Sequence, residues 1–142
     1  MMRKSPWVCL FDGASCNGCS IELLALVTPR YDIERFGCLW KYSARNADIL
    51  IVTGCSNEIT KHRLLTVYKQ MAKKKVVVAV GSCALSRGVF AECYNTKQCV
   101  KDIVPVDIFV PGCPPRPEAT IDALLKALNI IQAGKETAAE KK

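Results

Sequence analysis

The sequence predicts an α/β domain in which a parallel sheet carries helices on both faces, and three observations predict it. Two continuous branched-apolar runs, Ile49–Thr53 and Val76–Val80, each end at a glycine (Gly54, Gly81), the pattern of strands covered on both sides. Between them Leu64, Val67, Tyr68 and Met71 follow the i, i+3, i+4, i+7 spacing of an amphipathic helix, with lysine and arginine elsewhere on its surface. The alternation recurs downstream, where a short strand over residues 106–110 is followed by a helix opening at Pro117-Glu118.

The remaining elements follow in chain order. Residues 7–11 are a short apolar strand closed by Asp12-Gly13, and the almost wholly apolar stretch 20–27 reads as a buried helix ended by Thr28-Pro29. Residues 31–36 alternate and predict a second strand stopping at Gly37, with a short irregular or helical piece over 42–47. In the last helix Ile121, Leu124, Leu125, Leu128 and Ile131 line one face until Gly134. Right-handed crossovers assemble such a series into a flavodoxin-like domain. The expected division is one domain over residues 1–134 and a charged tail over 135–142.

At 142 residues, the chain fits one domain, and its 50% hydrophobic and 23% charged composition excludes general disorder. No apolar run approaches the ~20 residues of a membrane-spanning helix. The apolar stretch near the amino terminus is interrupted at Asp12, too early for a secretory leader, so a cytoplasmic location is expected. The net charge of +7 is dispersed, with groupings at Lys73–Lys75 and at Lys135, Lys141 and Lys142. Aromatics do not interleave with these cations as a base-stacking platform requires, so nucleic acid is not an expected partner. An acidic protein, an anionic membrane surface or plain solvent can each meet this charge.

Nine cysteines is an odd count and a high one for a reducing compartment, which points to metal or redox chemistry. In an open parallel sheet, ligands collect beyond the carboxyl ends of the strands. Cys16 and Cys19 follow the first strand, Cys55 follows Thr53-Gly54, Cys83 follows Val80-Gly81, and Cys113 follows Val110-Pro111-Gly112. Topology thus nominates five cysteines for a site that normally uses four. Cys9, Cys38, Cys93 and Cys99 have weaker positional claims and read as small hydrophobes.

Four sulfurs suit zinc or an iron-sulfur cluster. Structural zinc sites usually pair two short knuckles, whereas here one C-x-x-C accompanies two isolated cysteines. Glycine accompanies each candidate (Gly18, Gly81, Gly112), which would let backbone amides approach inorganic sulfide, and nearby helix amino termini favour a cluster's negative charge. A thioredoxin-like dithiol would explain Cys16 and Cys19 but leave Cys83 and Cys113 without a role. His62, between Lys61 and Arg63, reads as solvated surface.

Three motifs carry a family resemblance: Cys16-Asn17-Gly18-Cys19-Ser20-Ile21-Glu22, Gly81-Ser82-Cys83-Ala84, and Pro105-Val106-Asp107 running on to Val110-Pro111-Gly112-Cys113-Pro114-Pro115-Arg116-Pro117-Glu118. In this order they resemble the small electron-transfer subunit of nickel-iron hydrogenases, a module that also occurs as the 20-kDa subunit of respiratory complex I. The likeness runs from Lys4-Ser5-Pro6-Trp7 to about Leu128. It is most similar to the group 4, membrane-bound, energy-converting branch, which includes the carbon-monoxide-induced hydrogenases. Complex I subunits typically carry adjacent cysteines in the first motif, while Cys16 and Cys19 are spaced by two, as in hydrogenases.

The resemblance implies that Cys16, Cys19, Cys83 and Cys113 hold one proximal 4Fe-4S cluster at the carboxyl ends of the strands. Only one is implied, because the chain stops soon after its last helix, where uptake hydrogenases carry two further clusters. Cys55 departs from the family pattern and is expected near the cluster without binding it. Glu22 matches an acidic residue of the family, with proton handling and simple complementation of a helix dipole both open. The implied activity is electron transfer between a ferredoxin-like two-cluster subunit, supplied by ferredoxin, and the nickel-iron site of a separate large subunit. Antiporter-like membrane subunits would couple this to ion translocation, with the chain peripheral on the cytoplasmic side of the membrane. A quinone-reducing complex I relative and a zinc-binding scaffold are the alternatives.

Overall fold

The five strands β1 (Trp7–Asp12), β2 (Leu39–Trp40), β3 (Ile49–Thr53), β4 (Val76–Val80) and β5 (Ile108–Val110) form one all-parallel sheet in the order β2-β1-β3-β4-β5. This is the flavodoxin-like order, whose topological switch point lies between β1 and β3. The computed structural model describes residues 5–96 and 98–133. Gly134 and the expected tail 135–142 lie outside the described residues.

Because successive strand residues face opposite ways, each buried run serves two layers. Ile49, Ile51, Val76, Val78 and Val80 join Val8 and Val110 in a core covered by α1 (Gly18–Ala25) and α5 (Pro117–Gln132). Leu50, Val52, Val77 and Ala79 point the other way, into a core covered by α2 (Glu58–Gln70), α3 (Ser82–Ser86) and α4 (Val100–Ile103). Asn57 starts α2 with a capping box: its Oδ1 accepts from Thr60 N at 2.8 Å while its own N–H donates to Thr60 Oγ1 at 2.9 Å. In α5, Pro117 occupies the first turn, and Ala123, Leu124, Ala127, Leu128 and Ile131 form the buried stripe.

The second strand is not where alternation placed it. Residues 31–36 contain a 3-10 turn, Ile33–Phe36, bracketed by positive φ at Asp32 (42°) and Gly37 (89°), and the strand is Leu39–Trp40. The backbone of this segment bonds back to the end of α1, with Asp32 N donating to Thr28 O and Ile33 N to Leu26 O, so it has no ladder to join. The apolar stretch 20–27 is also not a buried helix. Leu23 and Leu26 are buried, whereas Ile21 is 65%, Leu24 52% and Val27 45% exposed. Apolar content alone does not say whether a helix has a second layer above it.

Register sets the site. Asp12 pairs with Thr53, Thr53 with Val80, and Val80 with Val110, so the loops after β1, β3, β4 and β5 all leave the sheet at one level.

Candidate metal centre

Each of the cysteine-bearing loops delivers its sulfur by a local device. After β1, Cys16 precedes Asn17, whose left-handed backbone (φ 65°) turns the chain into α1, and Cys19 lies in the first turn of that helix. Asparagine is among the few residues that take this conformation at low cost. After β4, Gly81 (φ 93°, ψ 150°) leads into α3, which opens Ser82-Cys83. After β5, Gly112 (φ 149°) precedes Cys113, and the Cys113–Pro114 peptide is cis.

The four sulfur-bearing residues Cys16, Cys19, Cys83 and Cys113 line one cavity of about 140 Å³, together with Ser15, Gly18, Gly54, Ser82, Gly112 and Pro114. All nine cysteines are free thiols. Among the described residues no three His, Cys, Asp or Glu side chains converge closely enough to share a single ion. The thiols stand around a space instead.

The glycines work differently from one another. A Cβ at Gly81 would lie 2.6 Å from Cys19 Sγ, so this position keeps room for a sulfur. Its N–H is not aimed at the cavity: it donates to Val110 O at 2.9 Å. Ser82 next to it donates twice to Gly112 O, from N at 2.8 Å and from Oγ at 3.0 Å, which ties the Cys83 loop to the Cys113 loop. By contrast, the N–H groups of Gly18 and Cys19, in the first turn of α1, have no acceptor among the described residues. They are the orphan donors every helix start leaves, here beside the cavity.

Asp12 holds the first loop in place. Its Oδ2 accepts from Ser20 Oγ at 2.7 Å and its Oδ1 accepts from Thr53 Oγ1 at 3.1 Å, fastening α1 to the end of β3. Motif reading missed this residue: the sequence shows Asp12 only as the polar end of a strand, and nothing in the spacing marks its two partners. Cys55, the fifth cysteine that topology nominated, does not line the cavity. It is buried, and its Sγ–H donates to Ala14 O at 2.9 Å.

The cysteines with weaker positional claims lie elsewhere. Cys9 and Cys38 are buried in the two cores, Cys93 is exposed, and Cys99 caps the start of α4. Glu22 is half-buried in α1, beyond the first turn, where a carboxylate would complement the dipole most strongly. His62 is exposed on α2, with Nε2 3.8 Å from Glu58 Oε1.

Electrostatics make the cavity demanding. Burial, then the neighbouring Cys83, Cys16 and Cys113 and finally Asp12, push the Cys19 thiol up to about 11. Burial also raises the Cys83 thiol, helped by Cys55, Cys113 and Cys16, while its own backbone N–H works against the rise. Four thiolates crowded together repel, and a cationic core among them relieves that repulsion, because metal binding displaces the protons. Donor type, room at Gly81 and unpaired N–H groups therefore all fit an iron-sulfur group.

The chain is also similar to known proteins. The family model described as NADH ubiquinone oxidoreductase, 20 Kd subunit, matches residues 16–127, a span containing all four cavity cysteines. The chain is 48% identical over 125 residues to a probable membrane-bound hydrogenase subunit of Pyrococcus furiosus, covering 88% of this chain and 75% of the relative. It is 42% identical over 130 residues to an NADH-quinone oxidoreductase subunit of Carboxydothermus hydrogenoformans, covering 91% and 76%. Among solved structures, a chain of the membrane-bound sulfane sulfur reductase, an archaeal respiratory membrane complex, superposes with a TM-score of 0.83 at 35% identity, covering 97% of this chain and 76% of that one. Among the described residues no helix is long and apolar enough to cross a membrane. On the matched span and these identities, the chain belongs to the family of the NADH ubiquinone oxidoreductase 20-kDa subunit.

Proposed function

We propose that the chain is the electron-transfer small subunit of a multi-subunit, energy-converting nickel-iron hydrogenase, with Cys16, Cys19, Cys83 and Cys113 holding one 4Fe-4S cluster. The observation that carries this reading is the gathering of four thiols, from three separate loops, around one cavity of about 140 Å³. When bound, such a cluster supplies one-electron storage, at a potential tuned by hydrogen bonds to its sulfurs and by burial. The chain's own residues would supply the tuning: the free N–H groups of Gly18 and Cys19 lie beside the cavity, where they can donate to a negative group, and Gly81 leaves the Cys19 sulfur its place.

The likeness to a membrane-bound hydrogenase subunit and the C-x-x-C spacing support the hydrogenase reading. In it, the hydrogen-activating nickel-iron site belongs to a large subunit. Electrons arrive from ferredoxin through a two-cluster ferredoxin-like subunit, and membrane subunits anchor the assembly, with this chain peripheral on the cytoplasmic side. The exposed apolar stripe Ile21, Leu24 and Val27, which starts on α1, the helix that carries Cys19, suits a partner that covers the cavity. A second reading, the equivalent subunit of a quinone-reducing complex, is favoured by the 42% identity to an NADH-quinone oxidoreductase subunit.

Metal and sulfide analysis of the anaerobically purified native complex tests both, with low-temperature electron paramagnetic resonance after dithionite reduction. Nickel with iron and sulfide, and a reduced 4Fe-4S signal lost on changing Cys113, is the expected result. Iron and sulfide without nickel favours the quinone-linked reading. Zinc alone overturns electron transfer.

A further inference from the structure

The loop that carries Cys16 is clamped by a residue outside the cavity. Cys55 is 4% exposed, and Ala14 O accepts both its Sγ–H at 2.9 Å and its backbone N–H at 3.3 Å. The Ala14 N–H returns a bond to Cys55 O at 2.9 Å, so these two residues are joined three times. Glycines on both sides allow the approach. A Cβ at Gly13 would stand 2.8 Å from Cys55 O, and one at Gly54 would stand 2.6 Å from Ser15 Cβ. Residues 13–15 therefore lie flush against residues 54–55, and Cys16 is the next residue along.

The side-chain bond is the part of this clamp that depends on residue identity. Without a donor at position 55, Ala14 O keeps only the longer backbone bond, in a place where Cys55 itself is sealed from solvent. Ligands in metal sites are oriented by such outer contacts, whose loss weakens metal retention without removing a ligand.

We propose that Cys55 is a positioning residue: through its thiol bond to Ala14 O it sets where Cys16 stands, and so how firmly the cavity retains its iron-sulfur group. The retention half rests on the reading under Proposed function, while the clamp itself does not.

The test compares the full complex carrying the parent chain, Cys55→Ala and Cys55→Ser. Hydrogen–deuterium exchange of the peptide spanning residues 13–18 reads the clamp. The rate of iron release to a chelator and the reduced-state paramagnetic spectrum read retention and geometry. Cys55→Ala is expected to exchange about two- to threefold faster, the low end of the range for a lost hydrogen bond because a thiol is a weak donor, and to lose iron faster with an altered spectrum. Cys55→Ser should stay close to the parent, because a hydroxyl can donate across the same gap. Unchanged exchange and iron release in Cys55→Ala overturns the proposal. So does a Cys55→Ser chain as defective as Cys55→Ala, the outcome expected of a fifth sulfur ligand. If Cys55→Ala does not assemble, assembly and parent-like exchange of Cys55→Ser support the clamp, and failure of both overturns it. A parent complex without iron and sulfide overturns the functional reading and the retention half with it, while exchange over residues 13–18 still decides the clamp.

Discussion

The sulfur of Cys19 occupies the space that a side chain at position 81 would need: a Cβ on Gly81 would lie 2.6 Å from Cys19 Sγ. These residues belong to different loops, one after β1 and one after β4, and meet only because Asp12, Thr53 and Val80 end their strands in register. Gly81 also has φ 93° and ψ 150°, a region that is essentially glycine's alone. Gly81→Ala is therefore expected to destabilise the chain by about 1–3 kcal/mol through strain and to deplete iron by displacing Cys19. Denaturant midpoints and iron content check the two effects. A fully loaded, equally stable Gly81→Ala protein would contradict the contact.

Asp12 fastens α1 to β3 by accepting from Ser20 Oγ and Thr53 Oγ1, and Thr53 is fully buried. Asn at position 12 keeps one acceptor oxygen and presents a donor to the other hydroxyl. We expect Asp12→Asn to cost about 1 kcal/mol and Asp12→Ala somewhat more, since the buried hydroxyl then lacks its partner. Urea denaturation of the two variants gives the ordering, and equal stability of parent and Asp12→Ala would refute it.

The ligand assignment separates cysteines that look alike in the sequence. Cys113→Ser should abolish or convert the cluster, and Cys83→Ser should do the same. Cys9→Ala removes a small buried group from the core at a cost of about 1 kcal/mol and should leave iron and sulfide unchanged. Full clusters and normal turnover in both serine variants would defeat the assignment.

Partner docking through α1 predicts a surface phenotype. Leu24 is 52% exposed, and glutamate is about as good a helix former as leucine. Leu24→Glu should change folding stability by no more than about 0.5 kcal/mol, yet reduce the amount of large subunit recovered with the chain. Undiminished recovery would mean that this stripe faces something else.

Lys75 gives a signed pH dependence. It is 7% exposed, and its Nζ donates to Tyr68 O at 2.6 Å and stands 3.8 Å from the Tyr68 ring centroid. Burial lowers its pKa below 10.5. Between the lowered folded value and 10.5 the unfolded chain binds more protons than the folded one, so this group makes stability rise with pH. Burial, aided by Asp107, raises the Tyr68 hydroxyl above 10.0, which acts in the opposite direction as pH climbs past that value. The stability of the parent minus that of Lys75→Met separates the lysine, and this difference should grow as pH rises through the lowered folded value toward 10.5. A flat difference would rule the effect out.

Much of the fold was legible in the chain alone. The runs Ile49–Thr53 and Val76–Val80, the α2 periodicity and the helix opening at Pro117 are strong signals because burial on two faces and helical amphipathicity each leave a period in the chain. The weak signals failed. A two-residue edge strand, Leu39–Trp40, has too little length to show a period, and the alternating Tyr31-Asp32-Ile33-Glu34 made a segment containing a 3-10 turn look like a strand. The stretch 20–27 misled for another reason, since Ile21, Leu24 and Val27 are apolar without being covered in this chain.

The sequence by itself determined the fold class, the strand-end placement of five cysteines and the motifs that mark the family, because all three are written in local pattern and spacing. Only the tertiary structure decided that the four sulfurs singled out by the family motifs line one cavity, that Cys55 bonds Ala14 O, and that Gly81 leaves the space Cys19 fills. Those outcomes depend on strand register and on where side chains meet across loops dozens of residues apart. No local pattern encodes a distance between residues 19 and 81; the sheet that aligns their loops does.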